Sequence, residues 1–232
     1  MIIDFHSHIL PGIDDGSRSA EESVEMLLRM KEQGIDVVVA TPHFYASHDD
    51  PQRFLARRQR AKEKLDAVLT DAMPKVRLGA EVAYYSGMSQ SKALQQLTIE
   101  GTNAILVELP MGRWKDSIYR ELSRIYEQQN LIPIVAHVDR YLTPHRSFGI
   151  PKKLEELPVL VQANAEFFLD KATARKAKKM LAAEQIHLLG SDTHNLTDRA
   201  PNLGMALQII EDSLGTDGIS QIETWQREII IV

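Results

Sequence analysis

The chain has no cysteine among its 232 residues. Disulfides, thiolate metal sites and a cysteine nucleophile are therefore excluded, and any phosphatase or protease chemistry must take another route. No run of about 18 apolar residues occurs, so a membrane-inserted helix is not expected. An excess of positive charge is missing too: 27 Lys and Arg face 32 Asp and Glu, for a net charge of −5 and a pI near 5.9. That balance speaks against a general nucleic-acid binder and leaves room only for a local basic patch. The opening Met1-Ile2-Ile3-Asp4-Phe5-His6 lacks the basic-then-apolar layout of a secretory signal, so the expected location is the cytoplasm.

What is present is an ordinary globular composition, 44% hydrophobic and 25% charged, enough for a sizeable core. The length fits one large domain over 1–232 better than two small ones, since α/β barrels often run to this size as single units. Short apolar runs alternate with stretches of helical period. The runs are Ile2–Phe5, Asp36–Ala40, Val76–Gly79, Ala104–Val107, Ile132–Ala136, Val159–Gln162 and His187–Gly190. Rich in Val, Ile and Leu and only four or five residues long, they suit strands buried on both faces.

Between them, Ser19 and Glu22 form a capping box, Ala20, Val24, Leu27 and Leu28 an apolar face, and Gly34 a stop. Further faces are Phe54, Ala61, Leu65, Val68 and Leu69; Ile118, Leu122, Ile125 and Tyr126; Ala177, Met180 and Leu181; and Leu203, Leu207, Ile210 and Leu214. Met88–Leu97 and Pro151–Leu157 carry a weaker helical signal. The terminal Ile229–Val232 reads as a strand or helix end packed on the core. Strands alternating with helices imply a parallel sheet with right-handed crossovers, either open or closed into a barrel.

The polar residues choose between these closures. His6 and His8 follow the first strand, His43 the second and Glu81 the third. Glu108 ends the fourth, His137 follows the fifth, and Asp192 and His194 follow the seventh. Parallel strands put all these ends on one face, and only a barrel gathers them into a ring. A lone histidine at a strand end is usually a hydrogen-bonded structural group. A carboxylate leaving an apolar strand is harder to bury without a cation. Five histidines and three carboxylates at corresponding ends are economically explained by a metal cluster. His6-Ser7-His8 and Asp192-Thr193-His194 each put two ligands on one side of an extended strand. Imidazole plus carboxylate without sulfur suits manganese, iron or zinc. So many ligands imply two or three ions, with Glu81 as the candidate bridge.

Ions about 3.5–4 Å apart are a standard device for phosphate-ester hydrolysis: they lower the pKa of water and neutralise the phosphoryl oxygens. An arginine fork completes such a site. Arg140 and Arg199 lie on loops of this face, and Arg113, after the fourth strand, is a weaker candidate. Asp14-Asp15-Gly16 is either a turn with glycine at positive φ or a segment returning a carboxylate to the metals. His48 and His145 read as loop residues, His187 as structural, and Trp114 and Trp225 as packing.

The opening Asp4-Phe5-His6-Ser7-His8, continued as Leu10-Pro11-Gly12-Ile13-Asp14-Asp15-Gly16, resembles the signature of the PHP (polymerase and histidinol phosphatase) superfamily. More narrowly it is similar to the CpsB/CapC-type protein tyrosine phosphatases of bacterial capsule and exopolysaccharide loci. Thr41-Pro42-His43, Gly79-Ala80-Glu81-Val82, His137-Val138-Asp139-Arg140-Tyr141 and Ser191-Asp192-Thr193-His194-Asn195 follow that family in order. The resemblance implies an α/β fold, a distorted TIM-like (β/α)7 barrel of the PHP type, with three ions, expected to be manganese. It puts His6, His8, Glu81 and Asp192 on one ion, Glu81, Glu108 and His137 on a second, and Asp14, His43 and His194 on a third. Arg140 and Arg199 match phosphate-binding arginines. The implied activity is hydrolysis of phosphotyrosine by metal-activated hydroxide, on the tyrosine-rich tail of a bacterial tyrosine autokinase that controls polysaccharide export. Ser7 stands where many members carry Cys, and Asp139 lies in a motif that often reads HPERY; neither matches a ligand. The rival readings are a small-molecule phosphatase such as one for histidinol phosphate, and a regulator that binds phosphotyrosine without hydrolysing it.

Overall fold

Four residues or fewer suffice for most strands here, because each is flanked by neighbours that complete its hydrogen bonding. The computed structural model describes residues 1–142 and 149–230. His145 therefore lies outside the described residues, as do positions 231 and 232. The strands are β1 (Ile3–Ser7), β2 (Val37–Ala40), β3 (His43–Phe44), β4 (Lys75–Leu78), β5 (Glu81–Ala83), β6 (Ala104–Glu108), β7 (Ile132–Val135), β8 (Leu160–Asn164) and β9 (Leu188–Gly190). All pairings between them are parallel, in the orders β1-β2-β4 and β3-β5-β6-β7-β8-β9.

Two of the seven apolar runs thus continue into a second short strand. Pro42 has no N–H to donate, so the ladder breaks between β2 and β3. Its carbonyl still accepts from Glu81 N at 3.1 Å, and Gly79 N donates to Ala40 O at 2.8 Å, so the broken pair β2/β3 runs beside the broken pair β4/β5. The ring closes just past β9, where Ser7 and Thr193 form a parallel bridge, Asp192 N donates to His6 O (2.8 Å) and His8 N to Thr193 O (2.9 Å). The closed, distorted α/β barrel is the architecture expected from the converging strand ends.

Alternation divides the strand residues between two cores. Ile3, Phe5, Val37, Val39, Ala104, Leu106, Ile134, Leu160 and Leu188 fill the inside. Ile105, Val107, Val135, Val161, Ala163 and Leu189 face the surrounding helices. Those helices are α1 (Ala20–Glu32), α2 (Pro51–Asp66), α3 (Asp116–Gln129), α4 (Ile150–Glu155), α5 (Glu166–Leu169), α6 (Ala174–Ala182) and α7 (Leu203–Ile230). Met88–Gln90 and Lys92–Gln96 are short 3₁₀ turns.

On α1 the buried stripe is Ser23, Met26, Leu27 and Met30, rotated from the expected face, and Leu28 is exposed. Ser23 tolerates burial because its hydroxyl reaches Ser19 O and Ser17 Oγ. α7 continues well past Leu214, through a break at Gly215 (φ 69°, ψ −165°). Its final turns stop the N-terminal mouth of the barrel: Ile229 joins the inner core, and the buried Gln226 side chain bonds both Ile3 N and Ile3 O. No helix among the described residues is long and apolar enough to cross a membrane.

Candidate metal centre

The site occupies the opposite, C-terminal mouth. A register shift in β1 between Asp4 and Ser7 aims two imidazoles into it. Ile3 and Phe5 already point inward, and without the shift His6 and His8 would face the helices; a bulge re-aims a side chain in this way. The close approach also needs glycine on β9: a Cβ at Gly190 would sit 2.5 Å from His6 Cβ. His137 (φ 32°) and Asp192 (φ 53°) adopt left-handed backbone, two of the four described non-glycine residues that do. Such conformations cost about 1–3 kcal/mol each and tend to mark functional sites. Here they turn an imidazole and a carboxylate from the strand ends into the mouth.

Four donor atoms meet at the centre. His6 Nε2 and His8 Nε2 are 3.2 Å apart. Glu81 Oε2 lies 3.3 and 3.4 Å from them, and Asp192 Oδ1 3.5 Å from each. Glu81 spans outward from this group, its Oε1 2.8 Å from His137 Nε2, with Glu108 Oε1 3.6 Å from the same nitrogen. His43 Nδ1 lies 2.9 Å from Glu81 Oε2. Asp15 Oδ1 is 3.4 Å from both His43 Nε2 and His194 Nε2. The donors form three overlapping groups, His6/His8/Glu81, His43/Glu81/Glu108 and His8/Asp15/His43/His194, each within 4.8 Å.

Asp14 does not join these groups, contrary to the expected ligand set. Its carboxylate is taken up by His8 Nδ1 (2.8 Å), Gly16 N (3.0 Å) and His43 N (3.1 Å). It orients a ring rather than facing the donors, and its neighbour Asp15 takes the expected place. Gly16 is required by proximity and not by positive φ, since a Cβ there would lie 2.1 Å from His8 O.

The donor set fits cations. His43 Nδ1, Glu81 Oε2, His137 Nδ1 and His194 Nε2 are buried yet make no aligned hydrogen bond among the described residues. Two imidazole nitrogens facing each other at 3.2 Å, and a nitrogen and a carboxylate oxygen at 2.9 Å out of alignment, are contacts that a shared cation reconciles. The electrostatics agree. Burial opposes charge on His8, but Asp14, Asp192 and Glu81 outweigh it and raise its pKa well above the usual value. Burial would raise Glu81 and Asp192, but His6 and the other imidazoles, with Arg140 for Asp192, hold both well below the carboxylate range. Asp14 is lowered to about 2, the His8 bond and charge overcoming its burial. His194 is pushed down to about 4, by burial and then by His8.

Arg140 and Arg199 converge on one carboxylate. Arg140 Nη2 bonds Asp192 Oδ2, and Arg199 Nη2 lies 2.7 Å from Oδ1. Both remain about one-third exposed, at 33% and 36%, and line a depression with Asn164 and Asp192. Arg113 is not among them; it is exposed and lines a neighbouring cleft. Ser7 Oγ is turned to Val39 O, and Asp139 Oδ1 accepts from Asn164 N, so neither faces the donors. His48 is an exposed loop residue beside Ser47. His187 accepts from Val161 N at the far mouth, its pKa lowered by burial to about 4, with Trp225 edge-on to its ring.

Sequence reasoning missed three members. Asp15 was overshadowed by Asp14. Gln162 Oε1 accepts from His137 N (2.7 Å) and faces His6 Nδ1 (3.2 Å), and Gln162 Nε2 reaches Asn164 Oδ1 (3.0 Å). Asn164 Nδ2 then donates to Asp192 Oδ2 (3.0 Å). The signal was available: Leu160, Gln162 and Asn164 share the inward face of β8, where two buried amides call for a purpose.

The chain resembles known proteins over nearly its full length. Tyrosine-protein phosphatase CpsB of Streptococcus agalactiae (serotype III strain NEM316) is 27% identical over 237 aligned positions, 95% of this chain and 94% of that protein. Tyrosine-protein phosphatase YwqE of Bacillus subtilis is 27% identical, covering 93% and 86%. A crystal structure from work on YwqE of Bacillus subtilis and CpsB of Streptococcus pneumoniae, described there as unique metal-dependent tyrosine phosphatases, superposes with a TM-score of 0.82 at 24% identity over 99% of this chain and 94% of that one. A TatD-like protein from Archaeoglobus fulgidus shares the fold more distantly, with a TM-score of 0.53 at 14% identity, over 99% of this chain and 100% of that one. The CpsB/CapC profile for capsular polysaccharide synthesis matches residues 2–231, and the chain belongs to that family.

Proposed function

We propose that this protein is a metal-dependent protein tyrosine phosphatase. The observation that carries the reading is the junction at Asp192, where two arginines, each about one-third exposed, meet a cage of His6, His8 and Glu81 donors. Relatives named as tyrosine phosphatases support it, as does the family's link to capsular polysaccharide synthesis. In this reading His6, His8, Glu81 and Asp192 hold one ion, Glu81, Glu108 and His137 a second, and Asp15, His43 and His194 a third. Manganese is the inferred metal, with iron or zinc as alternatives for a nitrogen-and-oxygen donor set. When bound, such ions lower the pKa of water and neutralise charge on phosphoryl oxygens.

The chain's own groups set the geometry. Arg140 and Arg199 present donors to the phosphate while Asp192 fixes their forks. Asp14 holds the His8 ring through Nδ1, which leaves Nε2 facing the cage; Gln162 does the same for His6. The chain has no cysteine, so a thiol phosphoenzyme is excluded. The substrate we infer is the phosphotyrosine tail of a bacterial tyrosine autokinase, met in the cytoplasm.

The test is turnover of a phosphotyrosine peptide, of p-nitrophenyl phosphate and of histidinol phosphate, with manganese and after complete chelation. The reading requires peptide turnover that chelation abolishes. Activity that survives full metal removal would overturn the mechanism. Turnover of histidinol phosphate with the peptide untouched would replace the substrate class, and a peptide bound but left intact would make the protein a regulator.

A further inference from the structure

A second cleft, of about 530 Å³, opens on the same rim between the β6–α3 segment and the start of α4. Arg113, Trp114, Lys115, Asp116, Tyr119 and Lys153 line it. It shares an aromatic wall with the ion site: the Trp114 ring packs on Tyr141 at 4.8 Å between centroids, and Tyr141 on His137 at 5.6 Å. Tyr141 is anchored in turn, its hydroxyl accepting from Leu109 N at 2.9 Å. The cleft therefore begins where the catalytic mouth ends.

Its chemistry is one-sided. Trp114 spends its indole N–H on Pro110 O (3.0 Å) and offers the cleft only apolar surface. Lys153 Nζ sits 4.6 Å over the Tyr119 ring and 3.2 Å from Asp116 Oδ1, which holds the ammonium at the cleft. The Arg113 and Lys115 side chains are exposed and make no hydrogen bond or ion pair among the described residues. Among the described residues three cations face one carboxylate, an excess of positive charge on a chain whose net charge is −5. A ligand that fits carries a carboxylate on a short aliphatic stem, with the stem against Trp114 or Tyr119 and the head among the cations.

We propose that this cleft docks an acidic residue of the substrate, a Glu or Asp close in sequence to the phosphotyrosine, and so selects among phosphotyrosine peptides. The proposal deepens the phosphatase reading and rests on it for the position of the phosphotyrosine. An exposed ion pair contributes up to about 1 kcal/mol, so one docked carboxylate should tighten binding about fivefold at low salt. Added salt should erode that gain, because the groups involved are exposed.

The experiment uses two peptides that differ only in a flanking Glu or Lys and carry the non-hydrolysable phosphonomethyl-phenylalanine in place of phosphotyrosine. Binding to the manganese-loaded protein is read by fluorescence anisotropy at low and high salt. The same peptides are tested on the double variant Lys115→Glu/Lys153→Glu, and p-nitrophenyl phosphate turnover is measured alongside. The expected result is a roughly fivefold preference for the Glu peptide that fades with salt and is abolished or inverted in the double variant, with p-nitrophenyl phosphate turnover unchanged. Equal affinity of the wild-type protein for the two peptides would overturn the proposal, as would a preference that the double variant keeps. A protein that shows the Glu preference but leaves p-nitrophenyl phosphate intact would sink the phosphatase reading while supporting the cleft.

Discussion

Asp14 and Asp15 are adjacent in the chain and act differently enough to be told apart. Asp14→Ala removes the acceptor of His8 Nδ1 at 2.8 Å and of two backbone N–H groups. A hydrogen bond to a charged group contributes about 1.5–3 kcal/mol, and the two stranded amides add to that, so the loss should be about 3 kcal/mol. At about 2–4 °C per kcal/mol for a protein of this size, the midpoint of chelator-treated Asp14→Ala should fall by about 6–12 °C. Asp15 is 64% exposed and, among the described residues, pairs with His43 and His194, at 3.4 Å each. Its removal should leave the metal-free midpoint within a degree or two, since exposed substitutions usually stay within about 0.5 kcal/mol. Metal content should show the opposite order. Asp15→Ala should lose an ion outright, whereas Asp14→Ala should keep a full donor set at about 10–100-fold weaker affinity. Thermal unfolding in chelator and elemental analysis after reloading read the two effects separately. An Asp15→Ala protein with a full complement of ions, or an Asp14→Ala protein that melts with the wild type, would refute the division of labour.

Glu81→Gln should strip ions and activity together, while Arg140→Ala should keep its metal and lose phosphate affinity and turnover; equal depletion in elemental analysis would contradict the assignment. The pH dependence follows from the shifted groups. His8 is raised well above its usual value, so the stability it adds to chelator-treated protein is full below its unfolded pKa near 6.5 and is lost as pH climbs through the folded one. Glu81 and Asp192 are held low, so their contribution is full above about pH 4.5 and is lost on acidification. Manganese displaces the protons on the imidazoles, so the midpoint gain on adding it should grow with pH through neutrality; a gain that is flat in calorimetry across that range would speak against it. Gly190→Ala places a Cβ 2.5 Å from His6 Cβ and 3.0 Å from His6 N, and such overpacking costs about 1–3 kcal/mol or more. A variant that folds and retains metal normally would show that β1 and β9 can separate.

The barrel was legible because apolar runs four or five residues long recur and because polar residues follow nearly all of them. What alternation could not show is where a strand breaks or shifts. Pro42 signals its break directly, since it lacks a donor. The shift in β1 carries no such mark: Phe5 and His6 both face inward, and only their neighbours across the ladder reveal it. The α1 face was misjudged for a related reason. Hydrophobicity favoured Val24 and Leu28, but Ser23 could be buried because local oxygens satisfy its hydroxyl. Arg113 shares the rim with Arg140 and Arg199, and position on a rim does not determine which loop reaches Asp192.

The legible part of the site and the missed part also differ physically. Histidines and acids that would hold ions stand out because burying them without a cation is costly. Asp14, Gln162 and Asn164 only aim those ligands, and a turn aspartate or a strand amide looks the same whether it aims a ring or completes a loop. Their presence explains how the mouth can be so polar without undoing the fold. Below it, Ile3, Val37, Leu106, Ile134, Leu160 and Leu188 form an apolar inner layer, stopped at the far end by Ile229 and by Gln226 on the backbone of Ile3. That layer and the helical shell stabilise the barrel independently of the ion site. The upper layer is then free to hold groups that repel or desolvate one another, which bound cations would bridge. The burial of Asp4 belongs to the same arrangement: its Oδ1 accepts from Ser191 N and His6 N, tying β1 to the segment after β9 at the level where the apolar floor gives way to the ligands.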